Sequence, residues 1–143
     1  MNIIKRSVSL MVVSFLLLMT SCDKETILPA TQIPNEIETY LITHFPEHNI
    51  IQFSKDVEGL TKTYQVILDG NISLEFNRQK RIIEIDGTDK LPDSVIPEKI
   101  RNYVANHFPN NFITDWELEG KHQQVGLDND LDLEFTMDGD FIR

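Results

Sequence analysis

Leu91-Pro92-Asp93-Ser94-Val95-Ile96-Pro97-Glu98-Lys99-Ile100-Arg101-Asn102-Tyr103-Val104-Ala105-Asn106-His107-Phe108-Pro109 is the second appearance of a pattern that first runs from Leu28 to Pro46. At a constant offset of 63 the identical pairs are Leu28/Leu91, Pro29/Pro92, Ile33/Ile96, Pro34/Pro97, Ile37/Ile100, Tyr40/Tyr103, His44/His107, Phe45/Phe108, Pro46/Pro109 and Ile50/Ile113. Chance at ordinary residue frequencies gives roughly one or two such matches. The chain therefore contains a duplicated unit.

The repeated stretch reads as a helix. Ile33, Ile37, Tyr40, Leu41 and His44 are spaced as one helical stripe, repeated by Ile96, Ile100, Tyr103, Val104 and His107. Pro34 and Pro97 fit the first turn, where a missing N–H costs nothing. Asp93 or Ser94 is placed to cap the second helix. Pro46 and Pro109 end the two helices, because the residue before proline is pushed out of helical geometry.

Strands follow each helix. Ile50-Ile51-Gln52-Phe53 corresponds to Ile113-Thr114-Asp115-Trp116. Thr61 to Asp69 alternates, Asp69-Gly70-Asn71 is a hairpin turn, and Ile72, Leu74 and Phe76 alternate again. Arg81 to Ile85 is a further strand. The later strands repeat at an offset of 59, so four residues are lost in the connection between the first two strands of the second copy. The expected fold is α+β: two tandem repeats, each one helix packed on a three- to four-stranded antiparallel sheet. The boundaries read from the sequence are a signal peptide over 1–21, a lipidated tether over 22–27, a first repeat over 28–87 and a second over 88–143. A unit of this size is marginal alone, so the two units are expected to pack together, a shared sheet being one way to do so.

The chain opens with Lys5-Arg6, then a nearly continuous apolar run from Ser7 to Met19, then Thr20-Ser21-Cys22. The run is shorter than the ~20 residues of a spanning helix and has the layout of a secretory signal. It resembles the lipobox of bacterial lipoproteins, and the resemblance implies cleavage before Cys22 and acylation of that residue. Acyl chains contribute ~0.8 kcal/mol per buried CH₂, so several would hold a small domain on a bilayer. Asp23-Lys24-Glu25 places acids beside the acylated residue and resembles the sorting signals of some surface lipoproteins. Cys22 is the only cysteine, so no internal disulfide staples the core.

Without the leader, 11 basic residues (13 less Lys5 and Arg6) face 23 acidic ones, a formal balance of −12. Phosphate backbones would be repelled, which argues against nucleic acid as a partner. A basic protein surface or a divalent cation fits the charge better.

Leu91-Pro92, Tyr103, Phe108-Pro109, the run Leu131 to Phe135 and Asp138-Gly139 together resemble the PepSY-like, beta-lactamase-inhibitor-like family of secreted bacterial proteins. The resemblance covers Leu28 to Arg143, and the first copy departs from it at Asn77 to Lys80, where the Asp-Gly turn is missing. It implies a periplasmic or surface protein with no catalytic motif to carry over. PepSY domains proper are associated with restraining secreted peptidases, which implies an inhibitory role.

Candidate chemistry is sparse. Asp128, Asp130, Asp132 and Glu134 form the densest acidic run and have part of the spacing of a calcium loop, although Leu133 stands where that loop needs glycine. Read as a strand, the same run puts Asp130, Asp132 and Glu134 on one solvated face. His44 and His107 are read as helix C-terminal residues bonding the last carbonyls rather than as metal ligands with His48 or His122. Phe53 and Trp116 are equivalent positions, either core residues or anchors for a partner on an uncovered sheet face. No Gly-x-Ser-x-Gly, phosphate loop or His-Glu-x-x-His occurs, and no enzyme is expected. The sequence thus points to a non-enzymatic envelope lipoprotein that binds or inhibits a protein partner and is held to the membrane through Cys22. The alternative is a calcium- or cation-responsive periplasmic binding protein.

Overall fold

The computed structural model describes residues 24–143; the leader and Cys22 lie outside them. The elements run β1 (Thr26–Leu28), α1 (Asn35–His44), β2 (Ile50–Glu58), β3 (Thr61–Leu68), β4 (Ile72–Phe76), β5 (Ile82–Asp86), α2 (Glu98–His107), β6 (Ile113–Glu119), β7 (His122–Leu127) and β8 (Asp132–Thr136). Short 3-10 turns at Ala30–Gln32 and Asp93–Val95 precede the helices.

The strands form one antiparallel sheet in sequence order, β1 to β8. The expectation of a separate three- to four-stranded sheet in each repeat is corrected here. β5 of the first copy pairs with β6 of the second through Glu84↔Glu117, Ile85↔Trp116 and Asp86↔Asp115. A copy standing alone would leave one of these strands with a row of unpaired backbone groups, which the shared sheet satisfies.

Register makes the sheet one-sided. Leu28, Phe53, Val66, Leu74, Ile85, Trp116, Val125 and Leu133 are successive cross-strand partners over all eight strands. Directly opposed residues share a face, so this is one uninterrupted apolar row. Phe76 and Phe135 lie two residues along from Leu74 and Leu133 on that same face, and each is fully buried, contributing about 1.5–3 kcal/mol. Tyr40 of α1 meets Phe76 edge-on at 5.5 Å, and Tyr103 of α2 meets Phe135 at 5.4 Å. Both helices therefore cover the same side. Ile37 and Leu41 of α1, and Ile100 and Val104 of α2, are the buried helix residues.

The helix ends differ in detail from the sequence reading. Pro34 and Pro97 are extended caps, one residue before the first helical position. Asp93 and Ser94 form the preceding 3-10 turn and do not cap α2. The stretch read as a tether, 22–27, ends inside β1. The acidic run is also corrected: Asp130 occupies a turn at φ 61°, and β8 begins only at Asp132.

The four residues missing from the second copy come off the strand ends. β2 and β3 have 9 and 8 residues, against 7 and 6 in β6 and β7. Two residues are lost from each strand, and the turn keeps a left-handed glycine, Gly59 or Gly120. Because side chains alternate with period two, this leaves every remaining residue on its original face.

The departure at Asn77–Lys80 is also accommodated. Lys80 takes the left-handed φ of 59° that Gly139 takes, at 80°, in the second copy. The Asn77 side-chain oxygen accepts from the Gln79 and Arg81 N–H groups, as the Thr136 hydroxyl accepts from the Asp140 N–H. Left-handed geometry costs a non-glycine residue roughly 1–2 kcal/mol, and the Lys80–Glu36 pair at 3.8 Å is too exposed to offset it. Lys80→Gly should stabilise the protein by ~1 kcal/mol, read as a higher urea midpoint at unchanged slope.

Gln123 brings a polar side chain into the core. Trp116 Nε1 donates to Gln123 Oε1 at 3.0 Å, and Gln123 Nε2 donates to the Thr136 and Met137 carbonyls at 3.1 Å each. Gln123 is 4% exposed. Gln123→Leu keeps the volume but strands the indole N–H, so it should cost about 1–3 kcal/mol in a denaturation series and alter Trp116 emission.

Candidate functional site

The alternation that buries one side of the sheet sends the intervening residues to the other, which no helix covers. One row there reads Ser54, Gln65, Glu75, Glu84, Glu117, Gln124, Glu134. A second reads Ser73, Asp86, Asp115, Gly126, Asp132. Glu75, Glu84, Asp86, Asp115, Glu117, Asp132 and Glu134 thus line one surface. Among the described residues the ion pair on this set is Arg143 with Glu134.

The acidity is concentrated in the second copy and at the join. Asp115, Glu117 and Asp132 stand where the first copy has Gln52, Ser54 and Ser73. Gly126 replaces Ile67 and makes room for its neighbour: a Cβ on Gly126 would run into the Asp115 carboxylate. Thr114 Oγ1 donates to Asp115 Oδ2 at 3.0 Å.

Crowding shifts these groups. Partial burial, then Glu117, Glu75 and Asp86, raise Glu84 above its ordinary 4.5. Partial burial, then Glu119, Asp115 and Glu75, raise Glu117. Burial raises Asp115 against the pull of its hydrogen bonds to Thr114 and the Gly126 backbone, with Asp132 and Asp86 adding to the rise.

The residues singled out in the sequence are placed as follows. Phe53 is 2% and Trp116 8% exposed. Both belong to the apolar row under the helices, because their parity in β2 and β6 is that of the covered face. They are therefore not anchors on the uncovered side, whose character is carboxylate and not aromatic. Asp128 lies in the loop after β7, where its Oδ1 accepts from Asn111 Nδ2 at 2.9 Å and from the Phe112 N–H at 3.1 Å. Asp69 does the same work in the first copy, accepting from Asn49 Nδ2 at 2.8 Å and lying 3.0 Å from His48 Nδ1. The Asn49 contacts hold its carboxyl below the usual 3.8. Asp132 and Glu134 project from β8 onto the uncovered face. Among the described residues no group of three His, Cys, Asp or Glu side chains converges to hold a metal ion.

His107 Nδ1 lies 2.9 Å from the Tyr103 carbonyl and its ring stacks on Tyr103 at 4.0 Å. His44 packs on Tyr40 in a tilted arrangement at 4.4 Å but reaches across the copies to Ser94 Oγ at 2.9 Å. This serine–histidine pair is exposed, and no carboxylate orients the imidazole among the described residues, so it lacks the third member of a nucleophilic triad. A cavity of about 300 Å³ beside α2 contains Lys90 and Arg101, but both already face Asp93, at 2.8 and 3.9 Å.

The carboxylate face was not read from the sequence. Each strand's outward positions were visible by alternation, but their assembly into two rows depends on the β5–β6 pairing between copies.

The family model described as "Putative beta-lactamase-inhibitor-like, PepSY-like" matches the chain twice, over residues 18–84 and 62–143. Three solved structures share the fold. A protein of Bacteroides thetaiotaomicron described as a "putative calcium-regulated periplasmic protein" aligns at TM-score 0.79 with 24% identity, over 83% of this chain and 94% of that one. A "putative periplasmic protein" of Bacteroides vulgatus aligns at 0.79 with 25% identity, over 85% and 97%. A second protein of that species, described as a "putative periplasmic protein of unknown function", aligns at 0.78 with 23% identity, over 84% and 98%. None of these descriptions names an enzymatic activity. No curated protein matches. Two matches to one family model, on the two copies of a helix-and-strand unit joined in a single sheet, show that the chain belongs to the PepSY-like, beta-lactamase-inhibitor-like family.

Proposed function

We propose that the chain is a non-enzymatic binding module of the bacterial cell envelope, held to the membrane through acylated Cys22, whose uncovered sheet face receives a protein partner carrying a basic surface. The supporting observation is the one-sidedness of the sheet. Both helices cover one face, and the other presents Glu75, Glu84, Asp86, Asp115, Glu117 and Asp132 with no cationic side chain in ion-pair range among the described residues. Such a surface favours a complementary basic patch and speeds encounter with it. With Phe53 and Trp116 buried, recognition rests on polar and charged contacts, so it should be salt-sensitive.

The envelope location draws support from the family and from the periplasmic descriptions of the three structural neighbours. The lipid anchor rests on the leader and Cys22. Inhibition of a secreted enzyme is the form of partner binding that the family's description suggests.

The test uses the full chain, purified with its anchor and immobilised. A specific envelope protein should be retained at low salt, released by about 0.5 M salt, where the screening length falls to a few ångströms, and lost on the Glu75→Gln/Glu84→Gln/Glu117→Gln variant. Retention unchanged by that variant would remove the carboxylate face from the interaction. Cys22→Ser should abolish acyl-chain labelling and release the protein from membranes. Calorimetric titration with millimolar calcium should give no saturable heat, since Asp128 is engaged by Asn111 and Phe112; heat that disappears on Asp128→Asn/Asp132→Asn would favour the cation-responsive reading instead.

A further inference from the structure

The join between the two copies is a short ladder. β5 and β6 share three residue pairs, as the edge strand β1 does with β2, against four to eight between the other neighbouring strands. Two of those three, Glu84↔Glu117 and Asp86↔Asp115, set carboxylate directly opposite carboxylate. Like charges in that position destabilise a sheet. The third pair, Ile85↔Trp116, lies on the buried face and holds the strands together. Outside the ladder, the Gly87 and Leu91 N–H groups donate to the Thr114 and Ile113 carbonyls at 3.0 and 2.9 Å, and His44 meets Ser94.

We propose that the β5–β6 seam is a proton-controlled junction: with its opposed carboxylates ionised it is the first interior join of the sheet to open, and protonating one member of each pair closes it. This is independent of any partner.

The groups that face the seam from each packed element are all acidic or neutral. Glu84 faces Glu75 on β4 and Glu117 on β6, with Asp86 two residues along its own strand. Asp86 faces Ser73 on β4 and Asp115 on β6. Asp115 meets Thr114 and Gly126, with Asp132 on β8 beyond. Glu117 faces Gln124 on β7, with Glu119 and Asp115 beside it. No lysine, arginine or histidine forms an ion pair with these carboxylates among the described residues.

The raised Glu84, Glu117 and Asp115 agree with this. Their folded values lie above the ordinary 4.5 and 3.8, so between those limits the native state binds more protons than the unfolded chain. Stability must then fall as pH rises through that interval and stay low at neutral pH. At the acid end the opposite sign applies to Asp69 and Asp93, which are held below 3.8 and whose contribution is lost as they protonate.

The test compares urea unfolding of the full chain at pH 7.5 and pH 5 with Glu84→Gln/Glu117→Gln and with a charge-matched control, Glu47→Gln/Glu58→Gln. The wild type should gain several-fold in its folding constant on acidification. The seam variant should show less than half that gain, and the control should match the wild type. A seam variant with the full gain, or a control that loses as much, overturns the proposal by assigning the effect to net charge. If the seam variant fails to fold, amide exchange on the wild type decides. Corrected for intrinsic rates, residues 82–86 and 113–119 should exchange several-fold faster than residues 64–76 at pH 7.5 and approach them at pH 5. Equal protection at pH 7.5 overturns it.

Discussion

Everything in this fold depends on the unbroken apolar row Leu28–Phe53–Val66–Leu74–Ile85–Trp116–Val125–Leu133. Cross-strand registration fixes each of these residues to the next, and two helices press on the row from one side. Shifting any strand by one residue would exchange its buried and exposed sets, so the row sets the register of all eight strands at once. It also makes Ile85 and Trp116 the bridge between two copies that would each be marginal alone. The carboxylates on the reverse side follow from the same constraint.

The two copies share a skeleton and spend its positions differently. Tyr40 and Tyr103, each packed against a histidine one helical turn away, cover Phe76 and Phe135 in the same way. Asp69 and Asp128 both clasp the segment that leaves the helix. The core pair differs: Phe53 stacks on Tyr64 at 6.0 Å, whereas the equivalent Trp116 is hydrogen-bonded by Gln123. On the reverse face, Gln52, Ser54 and Ser73 become Asp115, Glu117 and Asp132. The first copy keeps the same skeleton without that acidity, so the fold itself does not require the carboxylates.

Much of the architecture was legible because its signals are local. Helical periodicity, the prolines at both helix ends, the alternating strands and the Asp-Gly turn each concern residues close in sequence. The 63-residue echo gave the duplication. What was not legible is non-local. Whether two copies share one sheet depends on the edge-to-edge pairing of β5 with β6, separated by a whole helix. Phe53 and Trp116 point under the helices because their parity in β2 and β6 matches the face the helices cover, and which face that is depends on tertiary packing, so composition could not decide between core and anchor. The turn at Asp130 was missed because Asp128–Glu134 reads equally well as strand until the left-handed backbone of Asp130 is seen.

The hairpin lengths carry an evolutionary corollary. The β2–β3 arm exceeds its β6–β7 counterpart by one full pleat on each side, a change that leaves the inside and outside of the barrelless sheet undisturbed. A single residue added to one strand would invert the side chains beyond it unless a bulge absorbed it, whereas a matched pair in each strand does not. The first-copy arm, tipped by the almost wholly bare Leu60 at 97% exposure, is then a permissive extension that mutation can lengthen or trim without renegotiating the interior.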